Sequence, residues 1–267
     1  GLILHCLTHR PEIPHTELKT AKRFGNAIAT LANAVKDGTF PATDQFLGDI
    51  RFIEAPESML ARLGAEFYLE HPEDTVVLCA TRKLSETVNQ LIQQSFSPDR
   101  RPLKLWNLEH DSWEHVGFYE GDLVTCTRNH WDLGIQNGSL GRIVELAESP
   151  DTEPADDGSA LLGWIKWDDG ETRPLHENLL DDLTLGYALT VHKSQGSQWR
   201  RVVICLPRAS RIVDRSLIYT ALTRAQSEIV LFGNRDQLAQ SIAQQKSADR
   251  RKIGLPRRLN SALEAKS

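Results

Sequence analysis

Apolar residues recur along this chain with two different periods, and the change from one to the other divides it into three stretches. In the first, Phe24, Ile28, Leu31, Ala32 and Val35 fall at helical spacing, which predicts an amphipathic helix over residues 18–38 with Gly38 at its C-terminal cap. A Pro- and Gly-punctuated segment and a short helical pattern over 59–69 follow. The run Thr75-Val76-Val77-Leu78-Cys79-Ala80 is then apolar and β-branched, the pattern of a strand buried on both faces of a parallel sheet. Thr81-Arg82 and a helix with Leu84, Val88, Leu91 and Ile92 on one stripe complete a strand-turn-helix unit. Ligands gather at the carboxyl ends of such strands, so Thr81 and Arg82 are placed either to touch one or to cap the helix.

From about Leu105 to Leu180 the apolar period shortens to two. Alternating runs over 122–128, 141–146 and 161–167 are separated by the hairpin signals Asn137-Gly138 and Asp169-Gly170. The pattern predicts a small antiparallel barrel inserted into an α/β domain. Five of the six Trp lie here. Trp164 and Trp167 neighbour apolar strand positions and suit a barrel core, whereas Trp131, in the polar loop Asn129-His130-Trp131-Asp132-Leu133, suits stacking on a base. The acidic segment 148–159 reads as a hairpin tip.

The third stretch returns to α/β texture. Tyr187-Ala188-Leu189 leads into Thr190-Val191-His192-Lys193-Ser194-Gln195-Gly196-Ser197-Gln198, and the strand Val202–Leu206 follows. A loop dense in hydroxyl, amide and imidazole groups between two buried strands is not needed for packing, and its natural partners are phosphates. Asp214 suits an N-cap for a helix burying Leu217, Ile218, Ala221, Leu222 and Ala225. Thr223-Arg224 lie at its end, before the apolar strand Ile229–Phe232. The segment 246–258 is basic.

Composition narrows the choices only a little. The 267 residues carry a formal net charge of −5, which excludes a wholesale basic nucleic-acid coat and makes any such contact local. Cys6, Cys79, Cys126 and Cys205 are far apart and without a CxxC pair, so they read as buried reduced thiols of a cytoplasmic protein. His5 and His9 have no second cluster to complete a metal site, and no metal site is expected. No apolar run approaches the ~18 residues of a membrane span. A chain beginning at Gly1 with its only Met at position 59 is expected to be a piece of a longer protein.

Two short spellings carry a resemblance. Thr190 to Ser197 (TVHKSQGS) and Tyr219 to Ala225 (YTALTRA), with an apolar strand between them, resemble motifs V and VI of superfamily-1 helicases of the RecD-like branch, the exodeoxyribonuclease V alpha subunit family. Residues 18–38 resemble the family's motif IV helix, with Arg23 as its arginine, and 117–141 resemble its SH3-like barrel. The resemblance implies a second motor domain with a RecA-like parallel sheet flanked by helices, divided into 1–104 and 181–267 by an SH3-like antiparallel β-barrel at 105–180.

It also implies the C-terminal part of an ATP- and Mg²⁺-dependent 5′-to-3′ DNA helicase. Arg23 and Arg224 would be the catalytic arginines, and Gln195, Gly196, Ser197 and Gln198 would line the nucleotide cleft. Thr81, Arg82, Asn129, Trp131, Thr190, His192 and Ser194 would hold single-stranded DNA. Gln198 stands where the family often has Glu, which keeps the hydrogen-bonding shape and loses the charge. No GxxxxGK[ST] phosphate loop occurs, so an N-terminal RecA-like domain is the expected partner, and the chain alone is expected to lack ATPase activity. Nuclease or helicase subunits of a RecBCD-like complex are further implied partners. The alternative is a RecA-like scaffold or single-strand-binding subunit without catalysis. His192 as a general base lacks an accompanying nucleophile or orienting carboxylate.

Overall fold

A computed structural model of the protein describes residues 26–41, 48–107, 109–147, 158–208 and 212–244 without a break, with isolated positions towards either end. In chain order α1 (Asn26–Asp37), β1 (Ile50–Glu54), α2 (Leu60–Glu70), β2 (Thr75–Cys79) and α3 (Arg82–Phe96) come first. A run of antiparallel strands follows: β3 (Pro102–Asn107), β4 (Ser112–Tyr119), β5 (Leu123–Cys126), β6 (Leu140–Leu146), β7 (Leu161–Trp167), β8 (Thr172–His176) and β9 (Leu183–Leu185). The chain then returns through β10 (Ala188–Thr190), β11 (Trp199–Cys205), α4 (Arg215–Leu222), β12 (Ala225–Gly233) and α5 (Arg235–Ala243).

Every residue of β2 is buried, and a strand apolar on both faces is stable only where both faces are covered. It lies inside an all-parallel sheet of order β1-β12-β11-β2-β10. The alternation of side chains sorts the sheet's residues between two cores. Val76, Leu78, Val202, Ile204, Ile229 and Leu231 pack under α1, α4 and α5. Val77, Cys79, Val203, Cys205, Val230 and Phe232 pack under α2 and α3. At ~1.5–3 kcal/mol for each large side chain fully buried, these two layers are the main source of stability.

Helix α1 buries Ile28, Leu31, Ala32 and Val35 as its spacing predicts, and Gly38 takes the left-handed conformation (φ 93°) that ends it. Phe24 and Arg23 lie outside the described residues. Asp214 caps α4 by accepting the Leu217 N–H at 2.9 Å. Cys79, Cys126 and Cys205 are buried free thiols, as expected; Cys6 is not among the described residues. Among the described residues no helix is long and apolar enough to cross a membrane.

The antiparallel strands form a hairpin, β3–β4, and a five-stranded sheet of order β8-β7-β6-β5-β9 over a core that includes Val124, Ile143, Ile165, Trp167, Leu175 and Leu183. Trp167 is buried there and Trp164 is half-buried. Gly138 and Gly170, at the two expected turns, both have φ above 90°.

Two polar clasps tie this sheet to the parallel one. Asp122, which is wholly buried, accepts hydrogen bonds from Arg100 Nη1 (3.0 Å), the Tyr187 hydroxyl (2.8 Å), Gln93 Nε2 (2.6 Å) and the Tyr119 N–H (2.9 Å). The Arg100 guanidinium also lies over the Phe96 ring, 4.3 Å from its centre. A buried carboxylate is costly unless paired and hydrogen-bonded, and here four donors satisfy it. Burial, reinforced by the Asp122 charge, pushes the Tyr187 hydroxyl well above the usual phenol range, so it remains a donor. In the second clasp Asn89 donates to the Leu185 and Ala188 carbonyls and accepts from the Ala188 N–H. Both clasps hold the chain where it passes from β9 back to β10.

Candidate functional site

The parallel strands have two edges, and the predicted site residues divide between them. At the carboxyl edge Thr81 and Arg82 follow β2, while Thr190 ends β10, whose register sets it beside Cys79. Thr81 accepts the Leu84 N–H at 3.3 Å and is therefore the N-cap of α3. Arg82 is exposed and makes a loose pair with Glu86 at 3.8 Å. On α3, Arg82, Ser85, Glu86 and Asn89 share one stripe, and they form one wall of a cavity of about 260 Å³. The other walls are Ala188–Thr190 with Lys193, and Thr125, Thr184 and Leu185 of β5 and β9.

Beyond Thr190 the chain turns back along the sheet. Val191 N–H still bonds to the Cys79 carbonyl at the carboxyl edge, whereas the Trp199 N–H bonds to the Arg224 carbonyl at the amino edge. Residues 191–198 therefore connect the two edges. Ser194, expected to contact DNA, is fully buried, and its hydroxyl donates to the Val191 carbonyl at 2.8 Å. This corrects the expectation: a short side chain at the inside of this turn stitches the turn together and does not present its hydroxyl to a ligand. His192 points to solvent and its ring is exposed.

At the amino edge Arg224, half-buried, donates from Nε to the Thr220 carbonyl (3.2 Å) and from its two Nη atoms to the Ser197 carbonyl (3.1 Å) and Thr223 Oγ1 (3.2 Å). Gln198 Nε2 reaches the Thr223 carbonyl at 3.3 Å. The two motifs are thus in contact, and the Gln198 amide is spent on that contact. Gln195 and Gly196 are exposed. Gly196 has φ 99° with open space where a Cβ would be, a left-handed backbone that favours glycine.

Asn129 and Trp131 lie in the loop between β5 and β6. The Asn129 carboxamide oxygen accepts the Asn137 N–H at 2.8 Å and closes that loop, while Trp131 is 75% exposed. Arg128 and His130 converge on Asp182 at 3.2 and 3.1 Å. Arg23 lies outside the described residues, as do most of the acidic segment 148–159 and of the basic segment 246–258.

Sequence reasoning missed Lys193 and Thr125. Burial, and then the Arg82 charge, hold the Lys193 ammonium below its usual range. The Thr125 hydroxyl is buried with no hydrogen-bond partner. A signal for Lys193 was present in its place among the donors of the loop; Thr125 reaches the cavity only through the register of β5 with β9.

Among the described residues no group of three or more His, Cys, Asp or Glu could hold a metal ion. The amino-edge set (Arg224, Gln195, Gln198 and the backbone around Gly196) is cationic and amide in character. It suits the phosphate end of a nucleotide and offers Mg²⁺ no ligand.

Residues 185–232 match the family described as UvrD-like helicase C-terminal domain. Over most of its length the chain is similar to proteins named RecBCD enzyme subunit RecD. It is 27% identical over 275 residues to RecBCD enzyme subunit RecD of Mycolicibacterium smegmatis, covering 92% of this chain and 44% of the relative. It is also 35% identical over 129 residues to the ATP-dependent RecD2 DNA helicase of Deinococcus radiodurans, covering 48% of this chain and 16% of that one. The chain therefore spans under half the length of these relatives. Among solved structures, Pif1 helicase from Candida albicans aligns with a TM-score of 0.53 at 17% identity, over 89% of this chain and 58% of that one. Bacteroides Pif1 in complex with ADP-AlF3 and ssDNA gives 0.52 at 16%, over 94% and 57%. Both likenesses concern the fold.

Proposed function

We propose that this chain is the second motor domain of an ATP-dependent, RecD-like 5′-to-3′ DNA helicase acting in the cytoplasm. The observation that carries the reading is the turn 191–198, which links a cavity walled by donors at one sheet edge to Arg224 at the other. Such a segment couples two ligands, because a shift that improves contacts at one end alters those at the other.

At the carboxyl edge Thr190, Arg82 and His192 would hold successive phosphates of single-stranded DNA, with Thr81 as the cap that fixes Arg82, and Asn129 and Trp131 in the covering loop. At the amino edge Arg224 and Arg23 would meet the γ-phosphate of ATP, and Gln195, Gly196, Ser197 and Gln198 would line the cleft. ATP supplies the free energy when bound. Its phosphate nest and Mg²⁺ ligands would come from an N-terminal RecA-like domain, so the chain alone would not hydrolyse it. The antiparallel section, 105–180, would be an SH3-like barrel. The pairing of β5 with both β6 and β9, and the 3₁₀ turn Glu177–Asp182 before β9, support that reading. Subunits of a RecBCD-like complex are candidate partners.

Phosphate contacts carry no base information. The chain should therefore bind fluorescent oligothymidylate and a mixed-sequence single strand equally, bind duplex more weakly, and lose affinity steeply with salt. Anisotropy titrations at two salt concentrations test this. Equal affinity for duplex, or none for either form at low salt, would remove DNA from the reading.

A further inference from the structure

The hairpin β3–β4 is a sheet of its own, so β3 has β4 on one side and no strand on the other among the described residues. An edge strand offers a row of backbone donors and acceptors to any extended chain that comes alongside. Register puts Lys104 opposite His115 and Trp106 opposite Trp113, and these four share one face. Leu103 and Leu105 turn the other way, towards the antiparallel core. The two indoles meet edge to face with 5.5 Å between ring centres, yet they remain 43% and 48% exposed. Aromatic residues of this kind are enriched where proteins meet partners.

Beside β3 lies a cavity of about 270 Å³. Its lining takes Leu103 from one face of the strand and Lys104 from the other, together with Trp113, so it lies along the strand's free edge. Leu146 and Leu162, both buried, complete an apolar wall. The space is below the roughly 300–1,000 Å³ of a small-molecule site and suits a single large side chain. The charged residues that line it, Arg101 and Lys104, are both cations. Arg101 is held in place by donating to the Leu146 and Ala147 carbonyls at 3.3 and 3.0 Å, with donors to spare. The cavity is also remote from the carboxyl-edge groove. Strand β6 pairs with Thr125 at Leu140 and reaches this wall at Leu146, roughly 20 Å further on at ~3.3 Å per residue.

We propose that the free edge of β3 docks an extended, acidic peptide segment of a partner protein. Its backbone adds a strand to β3, one large apolar side chain enters the cavity, and flanking carboxylates meet Arg101 and Lys104. Main-chain bonds and the buried anchor supply affinity, and the charges select the partner. A second copy of this chain is a poorer occupant, because pairing β3 with itself sets Arg101 and Lys104 near their own kind. None of these contacts involves the carboxyl-edge groove.

The test is fluorescence anisotropy of the chain with a labelled peptide of about ten residues, alternating Thr and Val around one central Phe, with Asp at both ends. It should bind saturably, about tenfold tighter than the same peptide with Lys in place of Asp. Lys104→Glu, at an exposed position, should reverse that preference and leave the thermal midpoint unchanged. Ala147→Phe, which fills the cavity, should weaken binding about thirtyfold, and so should Ala in place of the peptide's Phe, which needs no change to the protein. N-methyl groups on alternate amides along one edge of the peptide should abolish binding, and along the other edge should not, the signature of strand pairing. No saturable binding, equal affinity for the acidic and basic peptides, or N-methylation that acts alike on both edges would overturn the docking site. Displacement of the peptide by oligothymidylate would give the surface to nucleic acid instead. A dimer in sedimentation that Trp113→Ser dissolves would give it to a second copy, and either result overturns the assignment.

Discussion

At the carboxyl edge of the parallel sheet Lys193, Arg82 and Thr190 face a wall built by β5 and β9, whereas at the amino edge Arg224 bonds to the Ser197 carbonyl and Gln198 to the Thr223 carbonyl. The two edges use their donors differently. Arg224 spends its guanidinium on Ser197, Thr220 and Thr223, while the Thr125 hydroxyl spends its capacity on nothing. Where solvent competes, a charged side chain stays ordered by bonding to its own backbone, and each such bond is worth only ~0.5–1.5 kcal/mol net, so a phosphate can replace it. Where a second sheet excludes solvent, the Thr125 hydroxyl stays unpaired at a cost.

The sharpest way to break this contrast is Arg224→Ala in the full-length protein. ATP hydrolysis stimulated by single-stranded DNA should fall about 10³-fold, the lower end of what such an arginine supplies, with DNA affinity within about twofold of wild type. Retained hydrolysis would favour a scaffold without catalysis.

Asp122→Ala attacks the enclosure itself. It leaves Arg100 without its carboxylate in the interior, and urea unfolding should show a loss of about 3 kcal/mol, with Asp122→Asn losing less. A loss under about 1 kcal/mol would mean that the clasp does not hold the two sheets together.

Trp131→Ala should weaken single-strand binding by ~1–2 kcal/mol and leave the unfolding midpoint unchanged, because the indole stands in solvent.

The smallest effect is the dependence on pH. Burial, chiefly, holds the folded-state pKa of Lys193 below the ordinary lysine value of 10.5 that it has when unfolded. Below the folded value both states carry the proton and the fold bears the whole penalty. As pH rises through that value towards 10.5 the penalty is relieved, so this residue makes the fold more stable. Strand binding has the opposite sign, because the anion loses its cation. Titrations from about pH 7 to about pH 10 should show affinity declining in the wild type and staying level in Lys193→Arg, whose guanidinium keeps its charge. Parallel declines would place the titration elsewhere.

Much of this was legible in local pattern. The buried run at 75–79, the stripe of α1, and the caps at Thr81 and Asp214 all follow from spacing over a few residues. Ser194 shows the limit, since its place among donors suggested a ligand while the turn folds its hydroxyl inward. Asp122 and Thr125 show a different one. Their environments arise from strands far apart in sequence, and no local periodicity encodes which partner a strand will choose. The polar stripe of α3, Arg82, Ser85, Glu86, Asn89 and Gln93, was visible at helical spacing beside the apolar one. What covers it is not encoded in that spacing, because the antiparallel sheet comes later in the chain.

That stripe has a mechanical consequence. Its first two turns line the cavity and its last two anchor the clasps to Asp122 and to the return into β10, so a single rigid rod sets the gauge of the passage. A ligand too bulky for that gauge would meet jaws that cannot spread.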